Sequence, residues 1–140
     1  MLADQIAGLI RSRLLDPVEI LFGDAADLPA RADDLARQLA ATIEGEDEQA
    51  AVYAIARLVG ALYPSDGPFD PPIDWWRTPL GRATARRMGH PAARAVSYSV
   101  AGAMLGVTKQ GVFDLVQRGK LTKDADGGVT TESVKARLNS

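Results

Sequence analysis

The chain has 140 residues, of which 46% are hydrophobic and 24% charged, a balance typical of one globular domain or two small ones. It contains no cysteine, which excludes disulfide bonds and thiolate zinc sites. The first helix-like segment, residues 2–15, is interrupted by charged residues and predicts neither a signal peptide nor a membrane span. These features favour a cytoplasmic protein with no membrane partner.

The net charge of −2 conceals a strong segregation of charge along the chain. Residues 1–76 contain five arginines and 14 acidic residues, a balance of −9. Residues 77–123 contain nine lysines and arginines against Asp114 alone, a balance of +8. Because nucleic-acid binding depends on a local basic surface, the second segment is a candidate for contact with phosphate.

Apolar residues at helical spacing predict four helices in the first half of the chain. The first covers residues 2–15. Asp16-Pro17 is predicted to begin a separate second helix, which ends at Gly23. The third begins near Pro29, and the fourth follows the acidic run Glu46-Asp47-Glu48, which suits the positive end of a helix dipole.

These elements predict a mainly all-α protein with two parts. Residues 1–64 would form an acidic helical bundle, and the proline-rich residues 65–72 a linker. Residues 73–140 would form a basic domain. The amphipathic helices at 31–43 and 47–62 are candidate surfaces for a homodimer, unless their apolar faces are fully used within the monomer.

A pair of short helices is predicted between residues 99 and 119. Ser99 is expected to cap the first helix, Gly106 to make the turn, and Thr108 to cap the second, which stops at Gly119. Two short helices joined by a tight turn are the elements of a helix-turn-helix. Four side chains of the second helix are expected to face outward: Lys109, Gln110, Phe113 and Gln117.

Other elements flank this pair. Thr78-Pro79 predicts a helix that runs to about Met88. Residues 121–123 and 129–130 are predicted to form two short strands around a glycine turn, and Thr131 to cap a last helix.

The outward side chains of the second short helix suit contact with a DNA groove. Lysine pairs with phosphate or guanine, and glutamine can form two hydrogen bonds with adenine. Because the N-terminal end of such a helix normally meets the bases, Lys109 and Gln110 are the principal candidates for base contact. The alternatives are an ordinary solvated helix face and, for Phe113, packing against the hairpin.

The segment "YSVAGAMLGVTKQGVFDLVQRGKL", followed by "TKDADGGVTTESVKARL", resembles the winged helix-turn-helix of the MerR/excisionase type. The resemblance covers residues 97–139, and its matching positions are Leu105-Gly106-Val107-Thr108, Val112, Leu115-Val116, Gly119 and Leu121. It implies a two-stranded wing and DNA contacts by both the recognition helix and the wing. The further contact residues that it implies are Ser99, Thr108, Arg118, Lys120 and Lys123.

Two features depart from the family pattern. Asp114 stands where the family often has a basic residue, and the wing tip carries Asp124 and Asp126 where relatives usually have arginines. Both departures would repel phosphate if they faced it. An ion pair between Asp114 and Arg118, four residues later, would remove the first objection.

A basic segment before the helix pair can supply phosphate contacts that anchor the protein without reading sequence. Its members are Arg82, Arg86, Arg87 and Arg94. The alternative is that these arginines are solvated or pair with the acidic first half, where exposed ion pairs contribute little individually.

The remaining candidates favour structural roles. Trp75 and Trp76 lie at the junction of the two halves, and one of them is predicted to be a core residue between the halves; the alternative is a ligand or base-stacking role. His90 is the only histidine, so no metal site and no cofactor are expected. No nucleophile lies beside a base, and the chain is not expected to be an enzyme.

Together these features predict a sequence-specific double-stranded DNA-binding protein associated with the nucleoid. It would be a small bacterial-type transcriptional regulator or a phage or plasmid control factor. The alternative is a protein-interaction module on a helix-turn-helix scaffold with weak or no DNA binding, which the acidic first half and Asp114 favour.

Overall fold

The computed structural model describes residues 1–140 and is mainly helical, with one small two-stranded antiparallel sheet. The predicted all-α class is confirmed at this level. The chain divides into two compact units, Met1–Pro64 and Ser65–Ser140. None of the helices combines the length and apolar character that a membrane span requires.

The first unit contains four α-helices around an aliphatic core. α1 (Leu2–Ile10) continues through a π-helical segment (Arg11–Leu15) into α2 (Asp16–Phe22), and α3 (Leu28–Glu44) and α4 (Glu48–Leu62) follow. α1 packs against α3, and α3 packs against α4. The fully buried side chains at the centre of the unit include Ile6, Ile43 and Ile55.

The predicted break at Asp16-Pro17 is wrong. Asp16 has helical backbone angles, and its N–H donates to the carbonyl of Arg11, five residues earlier. Proline lacks an N–H and its ring crowds the preceding helical turn, and the wider π turn accommodates it without ending the helix. The helix ends at Gly23, as predicted, where φ is +83°.

The second unit contains four further helices, the sheet and a short 3₁₀ segment. The elements in chain order are the 3₁₀ segment (Ile73–Arg77), α5 (Pro79–Met88), β1 (Ala95–Val96), α6 (Tyr98–Leu105), α7 (Lys109–Gln117), β2 (Val129–Thr130) and α8 (Thr131–Leu138). β1 and β2 pair antiparallel, with Ala95 opposite Thr130 and Val96 opposite Val129.

The predicted strand at residues 121–123 is wrong, because the partner of β2 comes from β1, more than 30 residues earlier in the chain. Lys123 forms only an isolated antiparallel bridge to Val129. The backbone N–H of Thr130 still donates to the carbonyl of Thr122 at 2.9 Å. A hairpin therefore exists around residues 123–129. The two-stranded sheet, however, is formed between its second arm and β1, the strand before α6.

The cap of α8 also differs from the prediction. Thr130, not Thr131, caps the helix, and its hydroxyl accepts the N–H of Ser133. The hydroxyl of Thr131 instead bonds the carbonyls of Ala93 and Arg94, at 3.0 Å for both. The start of α8 is therefore tied to the segment that precedes β1.

The second unit contains an aromatic cluster in which both Trp75 and Trp76 are buried, whereas only one core tryptophan was predicted. The two indole rings meet edge to face with centroids 5.0 Å apart. Phe69 packs edge to face on Trp75 at 5.1 Å, and the ring of His90 lies 5.1 Å from Trp76. Such geometries satisfy the ring quadrupoles and bury a large apolar area.

His90 is held in its neutral form by its surroundings. The backbone N–H groups of Ala92 and Ala93 both donate to Nδ1 of His90, at 2.9 Å. A proton on Nδ1 would oppose both donors. Burial lowers the pKa of His90, and the nearby carboxylate of Asp70 raises it in part.

This arrangement predicts a loss of stability in acid. The pKa of His90 is lowered in the folded state, so its contribution is complete above the ordinary histidine pKa of about 6.5 and falls as the pH drops from there toward the lowered value. His90→Asn keeps an oxygen that can accept the same two N–H groups but does not titrate. We expect the free energy of unfolding to decrease less between neutral pH and about pH 5 in the variant than in the wild type. Equal decreases in denaturant titrations at the two pH values would contradict this role.

Candidate nucleic-acid interface

The turn between α6 and α7 is short and closed by backbone geometry. Gly106 ends α6 in the left-handed conformation, with φ of +75°, and the N–H of Val107 donates to the carbonyl of Gly102 at 2.9 Å. A Cβ on Gly102 would lie 2.7 Å from the carbonyl oxygen of Val107. The absence of a side chain at Gly102 therefore lets the turn fold back onto α6.

The caps of the two helices are hydroxyl side chains. Thr108 caps α7 as predicted, and its hydroxyl accepts the N–H of Gly111 at 2.9 Å. The predicted cap of α6 is wrong, because Ser97 performs that role and accepts the N–H of Val100 at 3.1 Å. Ser99 lies inside α6 and is half-buried.

The two faces of α7 differ in burial. Val112 is completely buried and so is Ala101 of α6, while Leu115 and Val116 are half-buried. These contacts hold α7 against α6 and fix which side it shows to solvent. The four candidate contact residues are all exposed: Lys109, Gln110, Phe113 and Gln117.

Asp114 lies exposed on α7, and its partner is not the expected arginine. The side-chain amide of Gln110 donates to its carboxylate at 3.4 Å. Arg118 is exposed and forms no ion pair with Asp114. The negative charge of Asp114 therefore remains uncompensated by a cation, and Gln110 is held by a long hydrogen bond along the helix.

The acidic turn at residues 124–126 is paired within the second unit. Nη2 of Arg94 lies 3.3 Å from Oδ1 of Asp124 and 3.7 Å from Oδ2 of Asp126. Asp124 is only 9% exposed, and its other oxygen accepts the N–H of Asp126. Asp124 therefore does not face outward as a free charge, and Arg94 is bound to these acids.

Lys120 lies on an open groove of about 700 Å³ beside the hairpin. The groove is also lined by Arg94 and by Arg137 of α8, together with the hydroxyl-bearing residues Thr122 and Ser133. The sequence analysis did not single out Arg137. Its position in the last turn of α8 indicates a place on the groove only when the packing of α8 beside the hairpin is known.

The basic residues of α5 belong to another element. Arg82 and Arg86 are exposed and Arg87 is half-buried. Nε of Arg82 donates to the carbonyl of Arg77 at 3.1 Å, and the side chain of Asn139 donates to the carbonyl of Arg86 at 2.9 Å. α5 packs mainly against α8 and the 3₁₀ segment. Its arginines therefore lie on a different helix from the exposed side chains of α7.

The structure thus places the candidate residues in three groups. Lys109, Gln110, Phe113 and Gln117 share the exposed side of α7, Lys120 and Arg94 line the groove beside the hairpin, and the arginines of α5 lie on a separate helix. Comparisons with protein-family models, with curated proteins and with solved structures return no match.

Proposed function

We propose that the second unit binds double-stranded DNA in a sequence-specific manner, as a winged helix-turn-helix in which α6 and α7 are the helix pair and the hairpin at 123–129 is the wing. One observation carries the proposal. A tight turn joins two short helices, and the capped N-terminal end of the second presents an exposed lysine and an exposed glutamine. That is the arrangement by which a recognition helix meets base edges in the major groove.

In this proposal the roles of the side chains follow from their chemistry. Lys109 and Gln110, at the first turn of α7, contact base edges, where lysine favours guanine and glutamine favours adenine. Gln117, Arg118 and Lys123 are exposed and supply contacts along the groove or to phosphate. The groove between the hairpin and α8, with Lys120 and Arg137, accepts a phosphate of the adjoining backbone.

Charge supports the same assignment. Residues 65–140 contain 11 basic and seven acidic residues, a balance of +4, although the whole chain is negative. A protein with this activity would be a small transcriptional regulator or a phage or plasmid control factor, associated with the nucleoid.

The arginines of α5 are proposed to anchor the protein on phosphate. Arg86→Ala combined with Arg87→Ala should weaken binding by a similar factor on every sequence and reduce the slope of affinity against salt by about two charges. Fluorescence anisotropy on a preferred and a scrambled duplex, each across a salt series, measures both quantities. If binding and its salt slope do not change, α5 has no part in the interface.

The function itself is tested by selection from a pool of random duplex DNA at two salt concentrations. We expect one motif to be enriched, and affinity to fall steeply as salt rises. Enrichment of a motif supports base reading, while retention without a motif reduces the proposal to phosphate binding. If no duplex is retained even at low salt, the DNA-binding proposal is wrong.

A second candidate function follows from Asp114 and from Arg94. The recognition helix carries an uncompensated carboxylate, and a basic residue beside the wing is occupied by two acids. Both features favour a protein partner over a polyanion. In that case α7 would contact a protein surface, and the random-duplex selection would return nothing.

A further inference from the structure

The end of α2 exposes three consecutive apolar side chains. Ile20, Leu21 and Phe22 are 81%, 77% and 78% exposed, and α2 buries none of its residues. Successive residues of an α-helix are rotated by about 100°, so these three side chains span about 200° of the helix surface. We refer to these three residues as the apolar tip.

An apolar groove lies in the same unit as this tip. It has a volume of about 420 Å³ and runs between the first helix and α3, lined by Ile10, Leu14, Leu28, Ala32 and Leu35 and by polar residues that include Asp34. Leu14 and Leu35 are 46% and 38% exposed, so the groove leaves apolar surface open to solvent. Leu14 belongs to the helical segment that leads directly into α2. The continuous helix that ends in the tip therefore also lines the groove.

The tip and the groove carry complementary free charges. Arg31 lines the groove, is exposed and takes part in no ion pair of the chain. The nearby acids of α3 are already paired, Asp33 with Arg11 and Asp34 with Arg37. On α2, Asp16 and Glu19 are both exposed and have no basic partner. The groove thus has an unpaired cation, and the helix that bears the tip has unpaired carboxylates.

We propose that the occupant of the groove is the apolar tip of a second copy of this chain. In a two-fold dimer each contact is made twice by the same surface, so one chain must present both halves of the contact. This unit does so, with both a tip and a groove and with both an unpaired cation and unpaired anions. An unrelated partner would require only one of these features. Leu21 and Phe22 of each copy would enter the other's groove, with Arg31 facing Glu19.

The first test is the oligomeric state of the full-length chain, measured by sedimentation without DNA. We expect a dimer for the wild type and a rise of roughly thirtyfold or more in the dissociation constant for Leu21→Glu, the loss typical of a central interface residue. Leu35→Glu, on the groove side, should have a similar effect. Tyr53→Glu is the matched control, because Tyr53 is 68% exposed on α4 and outside both surfaces. A monomeric wild type, or a dimer unaffected by Leu21→Glu, would overturn the proposal.

A charge exchange tests the pairing between copies. Arg31→Glu should weaken the dimer, and Arg31→Glu combined with Glu19→Arg should restore it, because the two charges then meet with reversed signs. Circular dichroism of each variant checks that the exposed substitutions leave the helices intact. If the double variant stays as weak as the single one, the proposed pairing is wrong. Neither measurement involves DNA, so a negative result would reject the dimer proposal without bearing on the proposed DNA binding.

Discussion

Gly81→Ala should destabilise the second unit by about 3 kcal/mol, at the upper end of the cost of overpacking. Gly81 lies in the first turn of α5, where a Cβ would be 2.1 Å from the carbonyl oxygen of Trp75 and 2.7 Å from Cα of Trp76. Both obstructing atoms belong to the backbone and cannot rotate away. α5 would have to move off the 3₁₀ segment, and with it the contacts that bury Trp76 to 1% exposure.

The two tryptophans provide the measurement, because they are the only ones in the chain and both lie in this segment. Urea titration followed by their fluorescence reports the unfolding of the second unit. Gly67→Ala is the matched control, since Gly67 lies in the same unit, has no positive φ and has no atom within 4 Å of the new Cβ. That change should leave the stability of the second unit within about 1 kcal/mol of the wild type. An unchanged midpoint for Gly81→Ala would show that the close approach is not required.

Lys109→Ala combined with Gln110→Ala should remove most of the sequence preference of the proposed DNA-binding unit. Each base contact of this kind contributes about 1–3 kcal/mol of discrimination, so the preferred duplex should lose roughly thirtyfold or more in affinity. Binding to scrambled DNA should fall much less, because only one positive charge is lost. Both side chains are exposed, so the stability of the unit should not change.

The matched control is Arg57→Ala combined with Gln49→Ala. This pair is likewise one cation and one amide on an exposed helix surface, but it lies on α4 of the first unit, outside the groove proposed to bind a second copy. Competition between the preferred and scrambled duplexes gives the ratio of affinities for each variant. If the α7 variant keeps the ratio of the wild type, or the α4 variant loses it equally, α7 does not read the sequence.

Features decided by near neighbours were predictable from the sequence. Thr78 and Thr108 cap their helices because each is followed by a first turn whose N–H groups need an acceptor within three residues. The exposed side of α7 follows from the same local periodicity. Asp16-Pro17 shows the limit of this reasoning, because a π turn allows a helix to pass through a residue pair that usually begins one.

Features decided by distant partners were not predictable. Ser97 and Ser99 are both suitable caps, and the choice between them depends on where β1 ends. β1 ends at Val96, and its partner β2 lies beyond α7 in the chain. The burial of Asp124 depends on Arg94, 30 residues earlier. No periodicity in the sequence reports this pairing, in which one arginine offsets part of the charge of two carboxylates.

The pairing of β1 with β2 also determines when the second unit can fold during synthesis. Both residues of β1 pair with Val129 and Thr130, and the carbonyls of Ala93 and Arg94 accept the hydroxyl of Thr131. Because synthesis runs from the N-terminus, the helix pair α6–α7 is made before the residues that hold the segment in front of it. The first unit has no such dependence within Met1–Pro64 and can fold while the rest is still being translated. A chain truncated after residue 120 should accordingly keep a folded first unit but leave Val112 and the aromatic cluster exposed to solvent.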